Sequence, residues 1–419
     1  MASPVIQSGD YLLEMGLGFQ ADAFELDDAV KGVLDNTTYV LDGTTAYGDI
    51  TPYVTNIAYS RGREKTDFQF GAGTLQFTML DETGVLGPYD TTSVFYDTAN
   101  NVPGLAPLRP IRLSRQGEYL FVGVVTSYYY QFQMAGPNYV NVQCADEFYK
   151  LAQTQLDAYN PNAETSGQRI TTVLALPEVD YIGPTTIATG TVNLGHAAAY
   201  DVEAGTNTLT YLQQINEAEQ GRLFIARDGD LVFQERIGTT LSGPVISFTD
   251  DGTGADYIDV QIEFDADNVV NRAYVAALNG NTSTDSNPTS IATYFIQNYA
   301  ITNSLLHIQG EIDALATYLL EPNPEPRYTS VTAYFANLTN TQRNLCATID
   351  IGDTISVQKF IPGLGSEVAA ELAVEGIRAV IDAQRGHTVT YYTSPTTIVY
   401  ELILDDATYG QLDSTNVLG

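Results

Sequence analysis

Apolar and polar positions alternate with a period of two over much of the chain, the signature of half-buried strands. Thr74 to Leu80 (TLQFTML) is the clearest run. LRPIRLS follows, with Pro110 near its start, where a missing backbone donor is tolerated. EYLFVGVVTSYYYQFQ reads as one long strand, and Gly123 within it predicts a bulge or bend. After the turn at Gly136-Pro137 comes NYVNVQCAD. A first sheet region is therefore expected from about Tyr53 to Cys144. A second contains DNVVNRAYVAAL, YTSVTAYF, GDTISVQKF, LAVEGIRAVIDA and HTVTYYTSP.

Helical periodicity is local. Asp146 is placed to cap a helix carrying Phe148, Leu151 and Ala152 on one face. Ser166 is placed to cap another, with Ile170, Val173 and Leu174 inward and Pro177 beyond its end. NTLTYLQQINEAEQG puts Leu209, Leu212, Ile215 and Ala218 near 3.6 spacing, with Gly221 as the stop. RLFIAR and DLVFQER then flank Asp228-Gly229, a strong hairpin pair. A last helix is expected near Ile308 to Leu320, faced by Ile308, Ile312, Leu315 and Leu319 and stopped by Pro322.

These runs divide the chain into an N-terminal arm (1–44), a first β-barrel (45–155), a small α/β domain (156–255), a second β-barrel holding the helix 308–320 (256–400) and a C-terminal tail (401–419). The two β regions end alike. PIRLS, LFVGVVTSYYY and YVNVQCAD answer to DTISVQ, AVEGIRAVIDA and HTVTYYTSP, each long strand bearing one early glycine, Gly123 or Gly376. That order predicts two related closed sheets, which hide their own edges.

Charge changes the picture more than overall composition does. Only 16% of the 419 residues are charged, against a usual quarter or so, yet 51 acids face 18 bases and the net charge is −33. Such a chain has no electrostatic footprint for gripping phosphates and repels nucleic acid and anionic membranes. The charge either keeps a crowded assembly soluble or lines a passage that DNA must cross without sticking. The acidic run from Asp250 to Asp267 lacks the spacing of an EF-hand loop and reads as a solvated connector, with calcium binding as the alternative. The opening MASPVIQSGDYLLEMG has no basic stretch before an apolar run, so no secretory leader is expected, and no apolar stretch is long enough to span a membrane. Asn36-Thr37-Thr38 and Asn337-Leu338-Thr339 match the glycosylation pattern, as chance predicts in a chain rich in Asn and Thr.

Catalytic chemistry finds no foothold. Cys144 and Cys346 make neither a disulfide framework nor a zinc cluster and read as free thiols on strand or helix edges. His196, His307 and His387 stand apart from one another and from both cysteines in the sequence, and His387 reads as a turn or strand-edge residue. HExxH, GxSxG and P-loop patterns are absent. GLGFQA at Gly16 follows no parallel strand and opens no amphipathic helix, so it is no dinucleotide site. Among 51 acids, carboxylate pairs carry no information about glycan cleavage, and Trp, common in sugar stacking, is absent. No catalytic, cofactor or metal residue is assigned.

Four stretches, in order, resemble the minor tail proteins or tail hubs of long-tailed bacteriophages, whose fold is shared with the hub of contractile-tail baseplates. The first is SRGREKTDFQFGAGTLQFTMLDETGVLGPYD, where Arg61, Gly62, Arg63, Gly73, Leu75, Leu80, Asp81 and Pro88 fit the pattern. The second is LRPIRLS with YLFVGVVTSYYY and VNVQCADEFYKLAQ. The third, TLTYLQQINEAEQGRLFIARDGDLVFQER, is the nearest in character, and VEGIRAVI with HTVTYYTSP is the fourth. The chain departs from the pattern at DEFYKL, where an aromatic more often follows the Asp, and lacks a Trp near the end.

The resemblance implies a mainly β fold with an α/β insert: two tube-protein-like β-barrels plus a small α/β domain. It implies a non-enzymatic homotrimer at the tail tip of the virion, whose six barrels match the sixfold tail tube while the ring keeps threefold symmetry. Partners would be distal-tail and tail-tube proteins, the tape measure protein, and tail fibres or spikes, with DNA passing through unbound and no membrane insertion. Two alternatives are a hexameric distal-tail subunit and a receptor-binding or glycan-cleaving tip protein.

Overall fold

The structure is a computed structural model that describes residues 6, 10–17, 47–64, 69–98, 101–134, 136–236, 243–360 and 367–396. Most of the expected N-terminal arm, Asn36, most of GLGFQA and the tail 401–419 lie outside them. The chain forms two compact units. One draws on 1–60, 73–146 and 379–388, and the other on 61–72, 147–378 and 389–419.

The first unit is a sheet. From one side its strands run from the end of Glu367–Asp382 through Val54–Gly62, Thr74–Asp81, Asn138–Ala145, Glu118–Gln131, Pro110–Arg115 and Tyr11–Gly16 to Tyr47–Asp49. Tyr11–Gly16, expected within an arm, is thus a strand, paired antiparallel with Pro110–Arg115. The register explains the period of two. Leu75, Phe77 and Met79 face Cys144, Val142 and Val140 across one ladder, and all six are buried. Gly123 is not a bulge. It pairs in register with Ile111, and the irregularities fall on either side of it, at Leu120 and between Val125 and Ser127. Gly123 is needed for close approach, because a Cβ there would stand 2.3 Å from the Ala145 carbonyl oxygen. Ile6 N donates to Val54 O at 2.7 Å, tying the start of the described chain to the first strand after the 3-10 turn Thr51–Tyr53.

The second unit joins an α/β layer to further strands of the large sheet. Helices Ser166–Leu174 and Thr208–Glu219 bury Ile170, Val173, Leu209, Leu212, Ile215 and Ala218, as their spacing predicts. The hairpin Arg222–Ile225 and Leu231–Gln234 turns through Gly229 at φ 95°. The helix ends differ from expectation by one residue. Thr165, not Ser166, is the N-cap, in a capping box with Gln168. Gln220, not Gly221, takes the left-handed C-cap at φ 57°. Asp146 does not cap Phe148–Gln153; its carboxylate accepts from Gly73 N at 2.6 Å, and that tertiary bond takes the group away from the helix start.

Within DNVVNRAYVAAL the strand is Arg272–Ala277, and its partners Thr282–Ser286 and Asn298–Ser304 have no sequence forecast. Strands Arg272–Ala277, Thr282–Ser286 and Asn298–Ser304 form a small sheet with one parallel pair, and helix Gln309–Tyr318 packs on it. Val275, Ile301, Ile312 and Leu315 belong to the same core as Ile170 and Leu212, so this helix lies in the α/β core. Its N-cap, Ile308, is exposed, and the buried face is Ile312, Leu315 and Ala316. This unit's strands of the large sheet run Asp259–Glu263, Arg327–Tyr334, the end of Gly386–Pro395, the start of Glu367–Asp382, Thr354–Phe360 and Ser247–Thr249. A lone bridge, Phe248 with Ala255, links the last of these strands to the segment before the first.

Candidate assembly interface

The residues that carry the sequence resemblance are internal pins. Arg61 pairs with Asp350, whose other oxygen accepts from Arg227 N at 2.7 Å. Gly62 adopts φ 82°, and a Cβ there would stand 2.3 Å from the Glu375 carbonyl oxygen. Arg63 Nε and Nη2 donate to Glu375 Oε2 at 3.0 and 2.9 Å. Arg222 Nε and Nη2 donate to Oε1 at 3.2 and 2.8 Å, and Ser394 Oγ adds a bond of 2.8 Å. Burial alone would raise the Glu375 carboxyl, but Arg222 and Arg63 outweigh it and hold the group below its ordinary value. One carboxylate thus gathers three distant segments. Gly73 is held by Asp146, and Asp81 closes the following loop by accepting from Gly84 N and Leu86 N.

Two further buried charges are satisfied in the same way. Arg169, with no exposed surface, reaches Glu164, Tyr211 Oη and the carbonyls of Asn162 and Gly195. Glu219, equally buried, accepts from Ser166 Oγ, Thr191 Oγ1 and Val192 N. The pins at Glu375, Asp350 and Glu219 were not legible in the sequence, because their partners are far apart along the chain.

The groups considered for chemistry fall elsewhere. Cys144 and Cys346 are both buried, not at edges, and burial pushes the Cys144 thiol up. His387, the second residue of strand Gly386–Pro395, is buried at 3% exposure. Burial, then Arg115, depresses its pKa to about 3, so the ring is neutral, with Tyr11 Oη 2.8 Å from Nδ1. His196 and His307, remote in sequence, meet with ring centroids 5.6 Å apart. In the acidic run, Asp250 is taken by Lys359 and Asp251 by Thr253. Among the described residues no group of three or more His, Cys, Asp or Glu could hold a metal ion, and no helix is long and apolar enough to cross a membrane.

What the surface offers is contact area. In the first unit Tyr128, Tyr130 and Phe132 stack along one face of a strand, centroids 6.1 Å apart at each step. Burial, then Asp81, pushes the Tyr130 hydroxyl up to about 12. Phe132, at the end of the stack, is exposed, as are Tyr129 and Met134. In the second unit Ile258, Ile262 and Phe264 are exposed along Asp259–Glu263, a terminal strand of its sheet. Many basic residues are engaged: Arg61, Arg63, Arg112, Arg169, Arg222, Arg327, Lys150 and Lys359 each pair with a carboxylate. These exposed apolar residues offer area for contact between subunits.

No protein-family model matches the sequence, and no curated protein matches it. Solved structures do match. The tail protein from Neisseria meningitidis aligns over 93% of this chain and 98% of its own, at TM-score 0.57 and 14% identity. The 43 kDa tail protein of prophage MuSo2 from Shewanella oneidensis aligns over 92% and 98%, at TM-score 0.55 and 13% identity. The chain has the mainly β fold of phage tail proteins, from one end of those chains to the other.

Proposed function

We propose that this chain is a structural subunit of a bacteriophage tail, the hub at the tail tip, working as a homotrimer through which DNA leaves the particle. The observation that carries the reading is the end-to-end match to two tail proteins, 98% of each being covered. An enzyme grafted on a tail scaffold would add a catalytic constellation, and the polar groups buried here hold segments together instead.

The two compact units per chain, each holding part of the large sheet, support the trimer. Each holds a strand glycine pressed against a neighbouring backbone: Gly123 against the Ala145 carbonyl oxygen and Gly376 against that of Arg63, with a Cβ at 2.3 and 2.4 Å. If the sheet strands of each unit close as a tube-like barrel, three copies present six barrels to a sixfold tube and keep threefold symmetry below. A closed ring is the usual form of a homo-oligomer. Distal-tail and tube proteins would sit above, with the tape measure protein inside and fibres or spikes outside. The charge supports the passage. A duplex carries one negative charge per about 1.7 Å of axis, so acidic walls let it slide where basic walls would hold it.

The test is the rotational symmetry of this protein in the intact particle, together with native mass spectrometry of the purified chain. Three copies per ring and a mass three times that of the chain are expected. A sixfold ring, or a monomer that forms no ring at high concentration, overturns the hub reading. A bore lined with Lys or Arg overturns the account of the charge.

A further inference from the structure

His196 and His307 reach one patch of surface from two segments that are locked together beneath it. Leu194 and Leu306, both fully buried, form an isolated antiparallel bridge. Gly195 N donates to Leu305 O at 2.8 Å, and Tyr200 Oη donates to Leu306 O at 2.8 Å. Gly195 lies so close under the Tyr200 ring that a Cβ would stand 2.2 Å from it. The segment leading into His196 therefore has little room to shift. On this stiff, dry support His196 is exposed and His307 half-buried.

The ring centroids are 5.6 Å apart and the planes meet at 77°. Two imidazoles bound to one tetrahedral ion, with nitrogens about 2.0–2.1 Å from it, hold their centroids about 5 Å apart. Closing the difference falls to the exposed His196 ring, because His307 is held at Asn193. His307 Nδ1 lies 3.2 Å from the Asn193 carbonyl oxygen. A carbonyl can only accept, so in the neutral ring Nδ1 carries the proton and Nε2 keeps its lone pair. A backbone acceptor on the second nitrogen is how metal-binding histidines are commonly oriented. Asn193 is held in turn by Glu311, which accepts from its backbone N at 3.2 Å and its Nδ2 at 2.9 Å.

We propose that His196 and His307 form a two-imidazole site for a first-row divalent cation of the zinc, nickel or copper group, with water in the remaining positions. Imidazole favours these ions over magnesium and calcium, which prefer oxygen ligands. The water-filled positions keep the ion exchangeable and open to a donor from a second molecule.

Zinc is titrated into the full chain by calorimetry in excess magnesium, because a surface at net charge −33 collects divalent ions on its carboxylates. Copper(II) is followed in parallel by electron paramagnetic resonance. One zinc per chain is expected to bind over the magnesium background, with imidazole nitrogen couplings on copper. His196→Gln and His307→Gln should each weaken zinc binding by at least about tenfold. His196 is exposed, so its variant keeps the parent's thermal transition and isolates the ligand effect. Absence of zinc binding above magnesium, or unchanged binding in both variants, overturns the site and leaves adventitious carboxylate binding only.

Discussion

Replacing Glu375 with Ala tests the central pin of the second unit. The carboxylate is 3% exposed and receives five hydrogen bonds, two from Arg63, two from Arg222 and one from Ser394. Its removal leaves two guanidinium groups facing each other without the anion between them. Breaking a buried ion pair from one side costs about 3–5 kcal/mol. The two arginines keep 16% and 26% of their side-chain surface in solvent, so water recovers part of the loss and the low end, about 3 kcal/mol, is expected. At roughly 2–4 °C per kcal/mol, the unit's transition should fall by about 10 °C. Urea denaturation followed by far-ultraviolet circular dichroism reads the change as a lower midpoint. Replacing Arg63, Arg222 and Glu375 together with Met should recover much of it, since no charge is then left without its partner. pH supplies a further check. The folded carboxyl is held below its usual value, so its stabilisation is present above the unfolded pKa of 4.5 and is lost as pH falls through the lower folded value. Should the Ala variant unfold within about 1 kcal/mol of the parent, the network would be incidental and the reasoning wrong.

Three other outcomes follow from the structure. His387 is neutral when folded, with a pKa of about 3 against 6.5 unfolded, so the unfolded state takes up a proton first and stability falls as pH drops below 6.5. The loss approaches about 1.4 kcal/mol per pH unit, and denaturation of His387→Gln between pH 7.5 and 5 should show a flatter dependence than the parent. Gly62→Ala should destabilise by about 2 kcal/mol or more, because the residue sits at φ 82° with the Glu375 carbonyl oxygen in the way, whereas Gly117→Ala, at φ 89° with nothing within 4 Å, should cost less; thermal unfolding compares them. Association of this acidic chain should strengthen as salt rises from about 0.01 to 0.15 M, where the screening length drops from about 30 to 8 Å, and light scattering that shows dissociation instead would mean ion pairs hold the copies together.

The strands and helices legible in the sequence are those whose own residues carry the pattern. Thr74–Asp81 alternates because its ladder with Asn138–Ala145 buries one face, and Thr208–Glu219 keeps its 3.6 spacing because Leu212 and Ile215 point into one core. The small sheet was legible only at Arg272–Ala277, because Thr282–Ser286 is a run of Thr, Ser and Asp with no apolar face of its own. Asp146 misled because an Asp before a helix can serve the helix or a distant amide equally well, and only the folded chain brings Gly73 within reach. Gly123 misled for a similar reason: glycine in a strand marks either a bulge or a close neighbour, and the neighbour, Ala145, is 22 residues on. The histidine pair was hidden by distance along the chain, and the bridge of Leu194 with Leu306 is what brings it together.

The basic residues explain how a chain of this charge can be both well folded and ready to assemble. Of 18 bases, several of the most buried lie where two or three segments must be held: Arg61 at Asp350, Arg63 and Arg222 at Glu375, Arg169 at Glu164. Each is spent inside on an acid, so the remaining acids dominate the outside. Such a surface repels its own copies at long range, which disfavours loose clustering. Association then requires contacts that exclude water over a wide apolar area, and the stacked Tyr128, Tyr130 and Phe132 offer one, with the exposed Ile258, Ile262 and Phe264 another. Repulsion at a distance with adhesion at close range favours one well-fitted arrangement over many poor ones, which is the property a symmetric ring needs.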